Sequence, residues 1–411
     1  MQNLVVNGDR LWESIMELAR IGATEKGGVC RLALSDLDRQ GRDLFIRWCK
    51  EAGCTITIDK VGNIFARRPG KDDSLPPIMT GSHLDSQPTG GRFDGAYGVL
   101  AGLEVIRTMN DMEIETDAPV EVVVWTNEEG SRFSPAMIGS GAFIGEFSLD
   151  DVMNKKDNVT GEVFGDELKR IGYDGDAWLG DRPIGAYFEA HIEQGPILED
   201  EEKTIGVVIA ANGQRWYEVT VTGQEAHAGP TPMPLRKDAL VAASRMIQAV
   251  HQIGHRYPPY ACATVGFIES SPNSRNTIPG SVFFTIDLRH PEDEILTRMN
   301  DDVRDECTRI AEDAGCIVDI RDFWEFPATL FDESCVLVVR EAAKQSGYSW
   351  RDITSGAGHD AVYVARVAPT GMIFIPCEDG ISHNETENAT PEDCAAGAQV
   401  LFMAMLDRST G

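Results

Sequence analysis

Residues Val120–Asn127 read VEVVVWTN and run directly into Glu128-Glu129. Four valines and a tryptophan in six positions, without strict alternation, describe a strand buried on both faces of a central sheet. The two carboxylates begin where the apolar run stops. In open α/β sheets the crevice beyond the strand ends is where ligands bind. On either side of this strand the same alternation of strand and helix recurs. Leu11–Gly22 and Asp36–Ala52 carry apolar residues at helical spacing, Thr55–Arg67 reads as two strands joined through Gly62-Asn63, and Pro77–Thr80 is a short apolar strand entering a polar loop. Gly95–Asn110 is a helix rich in small residues. The C-terminal part adds a helix near 332–346, a loop at 354–360, a strand at 370–376 and a helix after Pro391. Strands interleaved with helices predict an α/β fold, a central mixed sheet between helical layers.

The pattern changes near 205–215. Thr204–Ala210 is β-prone and Asn212-Gly213 signals a turn. Then come strand 215–222, helix 238–253, strands 261–268 and 281–288, helix 292–314 and strand 316–321. That succession is the ferredoxin-like order. It predicts an inserted α+β domain at 212–328, with 1–211 and 329–411 forming the other domain. A chain of 411 residues is long enough for two cores.

With 66 acidic against 37 basic residues, the formal net charge is −29. Such a field repels phosphate backbones and argues against nucleic acid as partner. No apolar run reaches the roughly 20 residues of a membrane span. The N-terminal segment lacks the basic head, apolar block and cleavage site of a signal peptide. Nine scattered cysteines without a C-x-x-C pair fit reduced thiols and a cytoplasmic location.

Of the eight histidines, three stand where an apolar strand breaks into a polar turn: His83 after PPIMTGS, His191 after GAYFEA and His383 after MIFIPCEDGIS. Carboxylates stand at comparable places. Asp94 lies in GGRFDGAYG, whose glycines let the backbone bend and approach closely. Adjacent Glu128 and Glu129 point different ways, so one can hold a metal while the other faces water. Imidazoles and carboxylates together suit zinc, or manganese, cobalt or nickel where oxygen donors prevail. Two metals about 3.5 Å apart need a shared oxygen ligand, and Asp94 is a natural bridge. Asp85, two residues after His83, is expected to accept the His83 ring N–H and fix its tautomer; the plainer alternative is a turn cap. His251 and His255 are i and i+4 on a helix, but HQIGH lacks the glutamate of H-E-x-x-H and reads as solvated surface. His290 carries no assignment.

Seven motifs in order, GSHLDSQPTGGRFDGAYGVLAGLE, TNEEGSRF, EAHIEQGPILE, GQEAHAGPTPM, NTIPGSVFFTIDLRH, SGAGHDA and GISHNETE, resemble the N-carbamoyl-amino-acid amidohydrolases. These include L-N-carbamoylases, β-ureidopropionase, allantoate amidohydrolase and ureidoglycolate amidohydrolase, a branch of the dinuclear zinc peptidase superfamily. The resemblance spans about residues 80–390. It implies a zinc-peptidase-like catalytic domain and an inserted lid that also forms a homodimer. His83 and His383 would each anchor one of two divalent metals, zinc first, with Asp94 bridging and Glu129 and His191 completing the sites. Glu128 would be the general base. Gln194, His227, Asn276, Arg289, Gly358 and His359 would contact substrate, His227 from the partner subunit and also stabilising the oxyanion. One departure stands out: Ser86-Gln87 follows Asp85 where many relatives carry Thr and an apolar residue. The expectation is that it touches no ligand.

The implied reaction is hydrolysis of the linear ureido C–N bond of an N-carbamoyl-L-amino acid or N-carbamoyl-β-alanine to amino acid, carbon dioxide and ammonia. An arginine closing the strand VFFTIDLR can hold a substrate carboxylate bidentately, or form a structural ion pair. Allantoate or ureidoglycolate is the alternative substrate. A dinuclear aminopeptidase or dipeptidase, and a non-catalytic binding protein on the same scaffold, are the competing readings.

Overall fold

The computed structural model describes residues 4–180 and 182–410. The chain divides into two compact units, Met1–Ile209 with Phe331–Gly411, and Ala210–Leu330.

In the first unit four parallel strands form the centre of the sheet, in the order Val120–Trp125, Ile78–His83, Ala186–Ile192, Thr370–Ile375. Every residue of these four strands is buried, as a sheet covered on both faces requires. Antiparallel strands extend it, Ile64–Arg68 and Thr55–Ile58 at one side and Ile205–Ala211 at the other. The register sets His83 opposite Trp125 and His191 opposite Phe374. The carboxyl ends of parallel neighbours therefore finish at one edge, and the side chains beyond them meet. The helices Ala96–Asp111 and Pro391–Ser409 pack against each other and against the parallel strands. Nearly all of Ala96–Asp111 is buried, which its small residues permit. Thr390 caps the terminal helix, accepting from the Asp393 N–H, with Pro391 in the first turn.

The second unit follows a β-α-β-β-α-β succession. Its sheet runs Ile268–Ser271, Ser281–His290, Gly213–Thr222, Ile317–Phe326, antiparallel throughout. Buried and half-buried residues alternate strictly along Ser281–His290, the mark of a sheet covered on one face. Val219, Val221, Phe284, Ile286 and Leu288 share a core with Met246 of the helix Ala239–Arg256 and Met299 of Asp293–Asp313.

Several local expectations change. Asn212-Gly213 is not a turn: one residue, Asn212, separates the strands Ile205–Ala211 and Gly213–Thr222, which belong to different sheets. The single strand expected at 261–268 is two short ones, Cys262–Thr264 and Ile268–Ser271, both paired with Ser281–His290. Trp350–Ser355 is a strand ending inside the expected loop. The short helices Ile138–Phe143 and Leu149–Met153 are too brief to leave a periodic signal in the sequence; Phe164–Ile171, missed in the sequence, does carry one, with Phe164, Leu168 and Ile171 at helical spacing and buried.

Candidate metal centre

Five side chains named from the sequence gather in the first unit as two overlapping groups. His83, Asp94 and His191 offer donor atoms within 4.8 Å of one another, as do Asp94, Glu129 and His383. Asp94 belongs to both. Its Oδ1 lies 3.4 Å from His83 Nε2 and 3.2 Å from His191 Nε2, and its Oδ2 lies 3.3 Å from His383 Nε2. Glu129 Oε2 is 3.4 Å from the same His383 nitrogen. One carboxylate thus faces two donor sets with different oxygens, the arrangement a bridging ligand needs.

The chain builds this place with backbone as much as side chain. Gly95 has φ 64, and a Cβ there would sit 2.4 Å from the His83 ring, so only glycine lets the Asp94 turn reach the histidine. The Gly95 N–H donates to His191 Nε2 at 3.2 Å. Asn127 has φ 58 and anchors its side chain on the Phe133 carbonyl, 2.8 Å away. That reversal after the strand turns Glu128 and Glu129 to separate tasks. Glu128 Oε2 lies 3.5 Å from His83 Nε2, beside the ligand group.

The charge distribution suits a cation. Burial first, then Asp360, Glu129 and Asp94, push the Glu128 carboxyl well above its usual range, although His83 opposes them. Burial and the Asp94 charge raise Glu129 to about 7. The Asp94 hydrogen bond, against burial, raises His383 to about 9. Anionic groups crowded into one buried place are relieved by a divalent ion, and nitrogen with oxygen donors fit such an ion. A third grouping, Glu189, His191 and His359, is already satisfied by protein: Glu189 accepts from Ser82 Oγ at 2.7 Å, Tyr187 Oη at 3.0 Å and the Ala361 N–H at 2.9 Å.

Two expectations about contacts, those for Asp85 and Gln87, are corrected. Asp85 does not take the His83 ring N–H on its carboxylate, which is 4.0 Å away; His83 Nδ1 faces the Asp85 backbone oxygen at 2.9 Å. The carboxylate instead accepts the Glu128 and Glu129 backbone N–H groups, each at 3.2 Å, and so holds the turn that presents both glutamates. Gln194, expected on substrate, donates through Nε2 to Asp94 Oδ2 at 2.9 Å and to Ser382 Oγ at 3.1 Å. His359 is buried with its ring 4.5 Å from that of His191, and its Nε2 meets Ser355 Oγ at 2.9 Å. Gly358 precedes it in the connecting loop. Gln87 does touch an expected ligand: its side-chain amide donates to Glu129 Oε2 at 2.6 Å.

The remaining candidates lie in the second unit. His227 and Asn276 sit on paired segments, with the Ala228 N–H bonded to the Asn276 carbonyl at 2.9 Å. Arg289 forms an ion pair with Asp287 at 2.9 Å. His290 is buried and accepts the Glu292 N–H at 3.0 Å, a turn contact. His251 and His255 lie exposed with Nε2 atoms 3.2 Å apart.

Sequence reasoning missed Glu387, Glu189 and Asp360. Glu387 Oε1 accepts the Phe93 and Asp94 backbone N–H groups at 3.0 and 3.1 Å, and Oε2 accepts Ser382 Oγ at 2.9 Å. A signal exists: a glutamate inside the apolar strand AYFEAHI, and another in GISHNETE. Charge in a buried strand is costly unless bonded, and so marks a purpose.

Residues 79–407 match the model of peptidase family M20/M25/M40. An N-carbamoyl-L-amino-acid amidohydrolase of Rhizobium meliloti is 50% identical over 99% of this chain and 97% of its own length. The allantoate amidohydrolase of Escherichia coli K12 is 35% identical over 96% of each chain. The crystal structure of an amidase of the hydantoinase/carbamoylase family from Burkholderia multivorans superposes with TM-score 0.95 at 61% identity, covering 99% of both chains.

Proposed function

Because this chain belongs to peptidase family M20/M25/M40, we propose that it is a metal-dependent amidohydrolase cleaving the ureido C–N bond of N-carbamoyl amino acids. The observation carrying the reading is Asp94 shared between two donor groups, with Glu128 at their edge. Relatives named for N-carbamoyl-L-amino acids support the substrate class.

In this reading His83, Asp94 and His191 hold one divalent ion, and Asp94, Glu129 and His383 hold a second. Zinc is the first choice, manganese, cobalt or nickel the others. When bound, the ions polarise the ureido carbonyl and acidify water. Glu128 takes the proton from the attacking water and returns it to the leaving nitrogen. Its buried, anion-crowded setting favours holding that proton in between. Asp85 keeps Glu128 in place through the backbone. Arg289 and Asn276 recognise the substrate carboxylate, and His227 stabilises the oxyanion from the partner subunit of a homodimer. The inserted segment 212–328 serves as lid and dimerisation domain.

Ammonia release from a panel after loading with each of the four metals tests the reading. N-carbamoyl-L-amino acids and N-carbamoyl-β-alanine are expected to turn over fastest. Faster release from allantoate would shift the substrate to the second reading, which the Escherichia coli relative favours. Cleavage of dipeptides without ammonia release would replace the amidohydrolase by a peptidase.

A further inference from the structure

Gln87 stands in a segment that the motifs leave without a role, and yet both of its N–H-bearing groups meet one carboxylate. Its backbone N–H donates to Glu129 Oε1 at 3.1 Å, and its side-chain amide donates to Glu129 Oε2 at 2.6 Å. The same Oε2 faces His383. We propose that Gln87 is a positioning residue for Glu129, holding its carboxylate in one orientation toward the ion on the His383 side. The inference rests on the metal-binding reading above.

The clamp is itself held. Pro88 restricts Gln87 to an extended backbone. Ser86 is tied to the neighbouring segment in both directions: its N–H donates to the Arg31 carbonyl at 3.0 Å, and its Oγ accepts the Arg31 N–H at 2.8 Å. The Gly90 N–H closes the loop on the Val29 carbonyl at 3.1 Å. A glutamate side chain has three torsions to order on binding an ion, and a fixed partner removes that cost beforehand. The donor's neutrality matters too. A lysine or arginine here would orient Glu129 equally well but would place positive charge against the incoming ion; an amide adds none.

The His83 side is built differently. There the imidazoles are oriented by backbone carbonyls, Asp85 for His83 and Ile192 for His191, each at 2.9 Å. Loss of the Gln87 amide therefore acts on one ion of the pair. Apoprotein is titrated with Zn²⁺ alone, by calorimetry with metal analysis after dialysis, for wild type, Gln87→Ala and Gln87→Met. Gln87→Met keeps the side-chain length and removes the donor. The variants are expected to retain one ion at wild-type affinity and to bind the other about 10–100-fold more weakly. In a His383→Ala background the Gln87 substitution is expected to add nothing; in a His83→Ala background its effect persists. Equal weakening of both ions, or unchanged binding in both variants, overturns the role of Gln87 and leaves the metal reading standing. Wild-type protein that takes up fewer than two ions removes that reading, and the role of Gln87 with it.

Discussion

The two sides of the candidate centre share Asp94 but differ in exposure. His83 and His191 have side chains 2% and 1% exposed, whereas His383 is 53% exposed. The closed side is framed by parallel strand ends and backbone carbonyls. The open side depends on a loop histidine, a glutamate and the amide that holds it. Burial removes competing water and strengthens each electrostatic contact. Exposure leaves room for a substrate to approach and for an ion to exchange. In the proposed reading the closed side would hold its ion more tightly than the open side, and Glu128 lies beside the closed one.

The largest expected effect removes the proposed proton carrier beside the closed side. Glu128→Gln should lower turnover about 10²–10⁴-fold while metal content stays at the wild-type level. A variant that is metal-replete and nearly fully active would take the proton-transfer role from Glu128.

Next comes the asymmetry itself. Stepwise chelation should strip the His383-side ion first. His383→Ala should retain one tightly held ion, while His83→Ala should lose that ion and keep only the exchangeable one, as read by metal analysis after dialysis. Loss of both ions together from either variant would erase the distinction between closed and open sides.

The smallest effect is a pH dependence. In metal-free protein His383 lies at about 9 because Asp94 accepts its proton, and Glu129 lies at about 7 because burial and Asp94 disfavour its charge. Metal binds the deprotonated forms, so protons must leave. Apparent affinity should climb from about pH 6 to about pH 9, and calorimetry in buffers of different ionisation enthalpy should show proton release. Affinity independent of pH over that window would mean that these groups are already deprotonated.

Much of the first unit is legible in the sequence because its strands are apolar on both faces and break sharply into polar turns. VEVVVWTN and MIFI identify themselves, and Glu128, Glu129 and His383 are conspicuous beyond them. The partners of Gln87, Glu189 and Glu387 are not, since each touches residues far along the chain: Gln87 meets Glu129, and Glu387 meets Asp94 from nearly three hundred positions away. Asp85 is conspicuous but misleading. Proximity to His83 along the chain points to a ring contact, whereas the fold directs its carboxylate to the Glu128-Glu129 backbone. Asn212-Gly213 misleads for a related reason: a turn-prone pair can also be the point where one strand passes from one sheet to another.

From the order of amino acids follow the alternation of strand and helix, the chemistry of the available donors and the absence of an apolar run long enough to span a bilayer; among the described residues no helix is long and apolar enough to cross a membrane. Those properties come from local side-chain character and its period. Which oxygen of Asp94 faces which histidine, and which neighbour holds each glutamate, is fixed once the chain is folded and not before. Such contacts depend on strand register and on backbone turns such as Gly95 and Asn127, whose left-handed conformations are set by the surrounding packing.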